Sequence, residues 1–135
     1  ETVFILHISD RNRLVDNHAT NVQEFGFALI GGSDRNRVLR NTATDFGIDG
    51  FAVAEGRRNT IADIFAKSGR GNGSKTFDLA PLNAFSGNTA MDNGQWGFED
   101  LTTGYRGVAG TDDRYAENSC RANNQGQSSP ETLCQ

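Results

Sequence analysis

The residues best suited to chemistry in this sequence are arginines, and they are periodic. Eleven of the thirteen basic side chains are Arg. Arg11, Arg35 and Arg58 recur at intervals of 24 and 23 residues, and Arg13 and Arg37 keep an interval of 24. A guanidinium is a planar, permanently charged fork that matches carboxylates, sulfates and phosphates. Stacked at that interval, the arginines would form a basic stripe suited to an anionic polysaccharide, such as a uronate chain lying along the stack. The competing expectation is that Asp10 and Asp34 pair with them in solvent, where such pairs contribute little. A second cluster lies in Thr102–Glu117, which brings together Tyr105, Arg106, Asp112, Asp113, Arg114 and Tyr115. No cofactor or metal is expected, and Asp112–Asp113 is the one place where a calcium ion could sit. An inserted loop without chemistry is the favoured reading there. His7 and His18 have no partner at ligand spacing, and no Ser-His-Asp order, phosphate loop or zinc pattern occurs. No catalytic residue is assigned.

Whatever positions these side chains must repeat as they do. Ser9–Thr20 reads SDRNRLVDNHAT and Ser33–Thr44 reads SDRNRVLRNTAT. Asn12, Asn36, Asn59 and Asn83 recur at intervals of 24, 23 and 24. Two residues later come Leu14, Val38, Ile61 and Phe85. A second ladder runs Asn17, Asn41, Ile64, Asn88 and Asn118, followed two residues on by Ala19, Ala43, Ala66, Ala90 and Cys120. Such a period marks a solenoid. The expected coils are 1–26, 27–50, 51–73, 74–97 and 98–124, followed by a tail over 125–135.

Apolar residues two apart, as in Phe27/Leu29 and Phe51/Val53, show strand periodicity with alternate side chains inward. The runs are too short and too rich in Gly and Asn for helices of several turns. One coil cannot bury its apolar residues alone. Stacked on a neighbour at roughly 4.8 Å, each inward residue meets its equivalent, and burying a Val, Leu, Ile or Phe contributes about 1.5–3 kcal/mol before entropy. Asn tolerates the left-handed backbone of a sharp bend, and stacked amides can hydrogen-bond along a column. Ser74, standing where Phe is expected, and Pro81 predict a rearranged edge or loop at the start of the fourth coil.

The segments NRVLRNTATDFGIDGF, NTIADIFAKSGRGNG and NAFSGNTAMDNGQWGF resemble the right-handed parallel β-helix repeat of pectate-lyase-like and periplasmic copper-protein-like sequences. The resemblance runs from about Val3 to about Asn124. It implies an all-β fold: a single-stranded right-handed parallel β-helix of about five coils. It implies little about activity, because this coil serves lyases, hydrolases, epimerases and structural stalks. Polysaccharide lyases of this fold combine acidic calcium ligands, an Arg or Lys base and stacking aromatics. Thr102–Glu117 has those ingredients without a motif to map them.

A net charge of −4 argues against a general nucleic-acid binder, and no apolar run is long enough to span a membrane. Cys120 and Cys134 are expected to form a disulfide that staples the tail over the last coil, contributing about 3 kcal/mol in the chain-entropy model. That pairing points to an extracellular or cell-surface location. Asn72-Gly73-Ser74 matches a glycosylation sequon. A threonine face, Thr20, Thr44, Thr42 and Thr89 with His18, is interrupted by Lys67 and Met91. Trp96, Phe98 and Tyr105 are candidates for stacking on sugar rings. Thr2–Ile8 begins as a strand with nothing polar before it, so self-association or stacking on further coils is expected at that end. Two functions follow. One is a secreted structural or interaction solenoid that builds a fibre or surface layer. The other is the C-terminal part of a carbohydrate-active enzyme, a lyase or epimerase, or a module binding anionic polysaccharide.

Overall fold

The computed structural model describes residues 3–104 and 111–135. Short strands wind into three parallel sheets, each taking one strand per coil. The first sheet holds β1 (Phe4–His7), β4 (Phe27–Ile30), β7 (Phe51–Val53), β10 (Ser74–Thr76), β13 (Trp96–Asp100) and β16 (Gly126–Ser129). The second holds β2 (Arg13–Val15), β5 (Arg37–Leu39), β8 (Thr60–Ala62), β11 (Ala84–Ser86) and β14 (Arg114–Ala116). The third holds β3 (His18–Val22), β6 (Thr42–Phe46), β9 (Phe65–Lys67), β12 (Thr89–Met91) and β15 (Ser119–Arg121). This is the expected parallel β-helix. The segment read as a tail supplies β16, which pairs with β13 and starts a further turn.

The core is built from columns of equivalent residues. Phe4, Phe27 and Phe51 stack with ring centroids 4.7 Å apart, close to the strand spacing. Leu14, Val38, Ile61, Phe85 and Tyr115 form the inward column of the second sheet. Ala19, Ala43, Ala66, Ala90 and Cys120 form that of the third. Phe46, the last residue of β6, fills the corner there, and a Cβ at Gly69 would overlap its ring, so only glycine fits beneath it.

The first asparagine ladder is continuous. Each backbone N–H of Asn12, Asn36 and Asn59 donates to the side-chain oxygen of the next asparagine, at 2.8, 2.8 and 2.9 Å. The second ladder breaks where Ile64 replaces asparagine and resumes from Asn88 to Asn118. Corners are thereby tied without using the backbone ladder, which leaves the sheets free to tolerate odd residues.

The fourth coil shows that tolerance and corrects the sequence reading. No rearranged edge occurs: β10 pairs in register with β7 and β13. Ser74 takes the Phe position inward, since ladder bonds come from backbone, and Pro81 falls in the turn before β11 where no ladder donor is required. The sequon is also corrected. Asn72 is buried, and its amide donates to Asp49 at 2.9 Å, so no glycan can be attached without unfolding the corner.

Cys120 and Cys134 are bonded. The adjoining Leu133 is buried against the last coil, and the backbone of Gln135 bonds with Asn118 and Cys120.

Candidate functional site

The arginine columns form as the repeat predicts. Arg11, Arg35 and Arg58 sit in the sharp corner before the first asparagine ladder, each in the left-handed region with φ of 58°, 56° and 55°. Beside them on the second sheet runs an outward column, Arg13, Arg37, Thr60, Ala84 and Arg114, in register from coil to coil. All six arginines are exposed.

Their expected solvent partners are occupied elsewhere. Asp10 Oδ1 accepts the backbone N–H of Asp34 at 2.8 Å, and Asp34 Oδ1 accepts that of Arg57 at 2.8 Å. These carboxylates extend the corner ladder and do not neutralise the arginines. The ion pairs among the described residues are Arg40–Asp16, Lys67–Asp92 and Lys75–Glu99. None involves Arg11, Arg13, Arg35, Arg37, Arg58 or Arg114.

The two candidate clusters meet at one place. A depression of about 390 Å³ is lined by Arg58, Leu82, Asn83, Ala84, Asp112 and Arg114. Ala84 interrupts the outward column with a methyl group, and the longer side chains of the neighbouring coils surround the gap. Asp112 is fixed at its edge: its N–H donates to Thr102 Oγ1 at 3.1 Å and its carbonyl accepts from the Leu82 N–H at 3.2 Å. Two guanidiniums and a carboxylate around one hollow can hold an anion and, beside it, a hydroxyl. Tyr105 and Arg106 lie outside the described residues.

Asp113 behaves differently from its neighbour. It takes the ladder position of the fifth coil, fully buried, with Oδ1 accepting the Asn83 N–H at 2.7 Å. Among the described residues its other oxygen has no hydrogen-bond partner, and neither has Oδ2 of the buried Asp100. Asp100 sits in the inward column that begins Leu6, Leu29 and Val53 and continues through Thr76. Its Oδ1 accepts from the Thr102 hydroxyl at 2.7 Å and the Thr102 N–H at 2.8 Å. Burial pushes the Asp113 carboxyl up to about 7, against the Asn83 N–H and with the nearby charges of Asp100 and Asp112. Burial likewise raises Asp100, against its bonds to Thr102, and raises Tyr115, whose hydroxyl lies 3.4 Å from Thr76 Oγ1. As for calcium, Asp112 and Asp113 face different surroundings, and no group of three metal-ligating side chains occurs among the described residues.

Sequence reasoning missed a second hollow, on the outside of the first sheet. A groove of about 460 Å³ there is lined in part by Asp49, Arg70, Asn72, Lys75, Phe77 and Gln95. Lys75 pairs with Glu99 at 2.7 Å and stands 5.1 Å from the centre of the Phe77 ring. Asn72 bridges Asp49 and Glu99 at 2.9 and 3.3 Å, and burial raises the Asp49 carboxyl. The signal was present in the outward column Ile5, Ala28, Ala52, Lys75, Glu99, where charges replace small residues in the fourth and fifth coils.

Among solved structures, the chain is similar to a point mutant of the periplasmic alginate epimerase AlgG, with a TM-score of 0.79 over 94% of this chain and 18% sequence identity. The two share a fold. Mirror-image coils do not superpose, so the coil has the same right-handed sense as that enzyme, the hand that parallel crossovers adopt almost without exception. The chain spans 32% of the length of the epimerase. No protein-family model matches the chain, and no curated protein matches it.

Proposed function

We propose that this chain is a β-helical module that contacts an anionic polysaccharide, a uronate polymer, along the arginine edge of its second sheet. The observation that carries this reading is the set of exposed arginines recurring from coil to coil with no ion-pair partner among the described residues. A stiff polyanion with a carboxylate on each ring meets such a column repeatedly, so individually weak contacts add along the chain. The alginate epimerase fold supports a carbohydrate-related role, and the same likeness supports a wider reading in which these coils belong to a carbohydrate-active enzyme. The disulfide supports an extracellular or envelope location. No helix among the described residues is long and apolar enough to cross a membrane.

The test is binding to alginate and pectin by calorimetry or affinity electrophoresis. Arg35→Ala/Arg58→Ala is expected to weaken retention strongly while leaving the thermal transition in place, because neither side chain supports the core. Retention equal to that of the unaltered protein would exclude the arginine edge.

A second reading has its own observation. β1 is the outer strand of the first sheet; Phe4 and Leu6 are only partly covered, and Ile5 and Ile8 are 53% and 73% exposed. A further coil, from the same chain or another subunit, would bury this apolar edge, and repeated stacking would build a fibre or surface layer. Light scattering decides it. Assemblies that dissociate in Phe4→Asp or Leu6→Asp support stacking, whereas a monomer at all concentrations rules it out for this chain.

A further inference from the structure

We infer that the depression between Arg58 and Arg114 is an anchoring subsite that selects a uronate ring over a free sulfate ion, with Asp112 as the selecting residue. The inference rests on the polysaccharide-binding reading and adds where the chain is anchored and which anion is preferred. Arg58 belongs to the third coil and Arg114 to the fifth, two coils apart along the axis and offset by two residues across it. Both side chains line the hollow above Ala84, the one small residue in the outward column. Neither has a carboxylate partner among the described residues. An anion seated over Ala84 therefore meets a fork from each side.

Asp112 makes the site more than a cationic hollow. Asp112 lines the same hollow as the two donors, and its carboxylate, an acceptor only, packs against Gly104 at the edge. A sulfate ion offers acceptors in every direction, so placing one beside Asp112 sets like charges together with no bond between them. A uronate ring differs because the carbon next to its carboxyl-bearing carbon carries a hydroxyl or a glycosidic oxygen. At the non-reducing end that neighbour is a hydroxyl, which can donate to Asp112 while the carboxylate takes the guanidiniums. Leu82 and the Ala84 methyl supply apolar contact for the ring face. A site that hydrogen-bonds a substrate hydroxyl rejects the analogue lacking it, because its own polar group is left unpaired. Backbone bonds to Thr102 and Leu82 hold Asp112 in place before any ligand arrives.

The experiment displaces fluorescent trigalacturonate with sodium glucuronate or sodium sulfate at constant ionic strength. Glucuronate is expected to displace at a concentration about tenfold or more below that of sulfate. Arg58→Ala or Arg114→Ala should weaken trigalacturonate about tenfold or more, the loss of one charge-assisted pair. Asp112→Asn, nearly isosteric, should erase most of the preference by improving sulfate. Equal displacement by both anions in the unaltered protein overturns the inference, as does a preference unchanged in Asp112→Asn. If the trimer fails to bind while polymer is still retained through Arg35, the subsite is wrong and the edge reading stands. If neither binds, both fall.

Discussion

Asp113 concentrates the unusual chemistry of the molecule in one side chain. At Asn36, Asn59 and Asn83 the ladder amide donates backwards to a carbonyl of the preceding coil, those of Ser9, Ser33 and Gly56. By the repeat, the carbonyl facing the Asp113 position is that of Ala80, which already accepts from the Asn83 amide at 2.6 Å and has a second lone pair to offer. An ionised carboxylate cannot donate to it, whereas a neutral acid can, and burial favours the neutral form. Because the folded-state value of about 7 lies above the ordinary value of 3.8, the folded protein holds this proton more tightly than the unfolded chain. The stabilisation is complete below the ordinary value, is lost as pH rises from there to about 7, and stays lost above. Asp113→Asn supplies the missing donor at every pH. The stability of this variant minus that of the unaltered protein should therefore grow between pH 4 and 7, by at most about 1.4 kcal/mol per pH unit for one proton, and then level off. Denaturant unfolding at several pH values measures it. A difference independent of pH would mean that Asp113 is ionised throughout.

At the scale of elements, the corner ladders carry what the short strands cannot. Asn59 accepts the Asn36 N–H at 2.8 Å and donates to the Ser33 carbonyl at 3.0 Å, all of it buried. Asn59→Ala leaves both backbone groups without partners, and at about 1–3 kcal/mol for each buried orphan the expected loss is roughly 2–5 kcal/mol. Asn12→Ala, at the partly exposed start of the same ladder, should cost well under half as much; equal losses would show that the ladder acts through something other than burial. These ladders were legible in the sequence because asparagine recurs at a fixed interval; the left-handed residue of each first-ladder bend is the one before it, Arg11, Arg35, Arg58 or Leu82, and asparagine serves the stack through its side-chain bonds. The same logic hid Asp113, since an insertion displaces it from the interval and its carboxylate is nearly isosteric with the amide it replaces. β16 was hidden for a different reason. Its sequence, GQSS, has no apolar alternation, and the strand is held by backbone pairing to β13 and by polar contacts from Asn123, Leu133 and Cys134. The arginine columns were readable because they ride on the repeat. The depression was not, because it depends on Ala84 lying between coils that the insertion separates in sequence.

A stack in which each coil touches only its neighbours distributes stability along its axis. The fifth coil is the weak segment: its interior carries Asp100, Asp113 and Tyr115 where earlier coils carry Leu, Val and Asn, and three of the buried polar atoms near it lack partners. The disulfide lies at this end, joining the inward Cys120 to Cys134 beside the buried Leu133. Its loop is short, 14 residues in sequence separation, so the constraint acts locally and contributes about 3 kcal/mol in the chain-entropy model. Replacing both cysteines with serine should therefore not lower protection evenly. In hydrogen exchange, amides of β14, β15 and β16 should lose protection by up to about a hundredfold, while those of β4 to β9 keep theirs. The same variant should bind polymer through Arg11, Arg13, Arg35 and Arg37 but lose affinity for short uronates, because Arg114 and Asp112 belong to the frayed coil. Uniform loss of protection from β1 to β16 would show instead that the coils unfold as one unit, and that the bond at one end secures the whole stack.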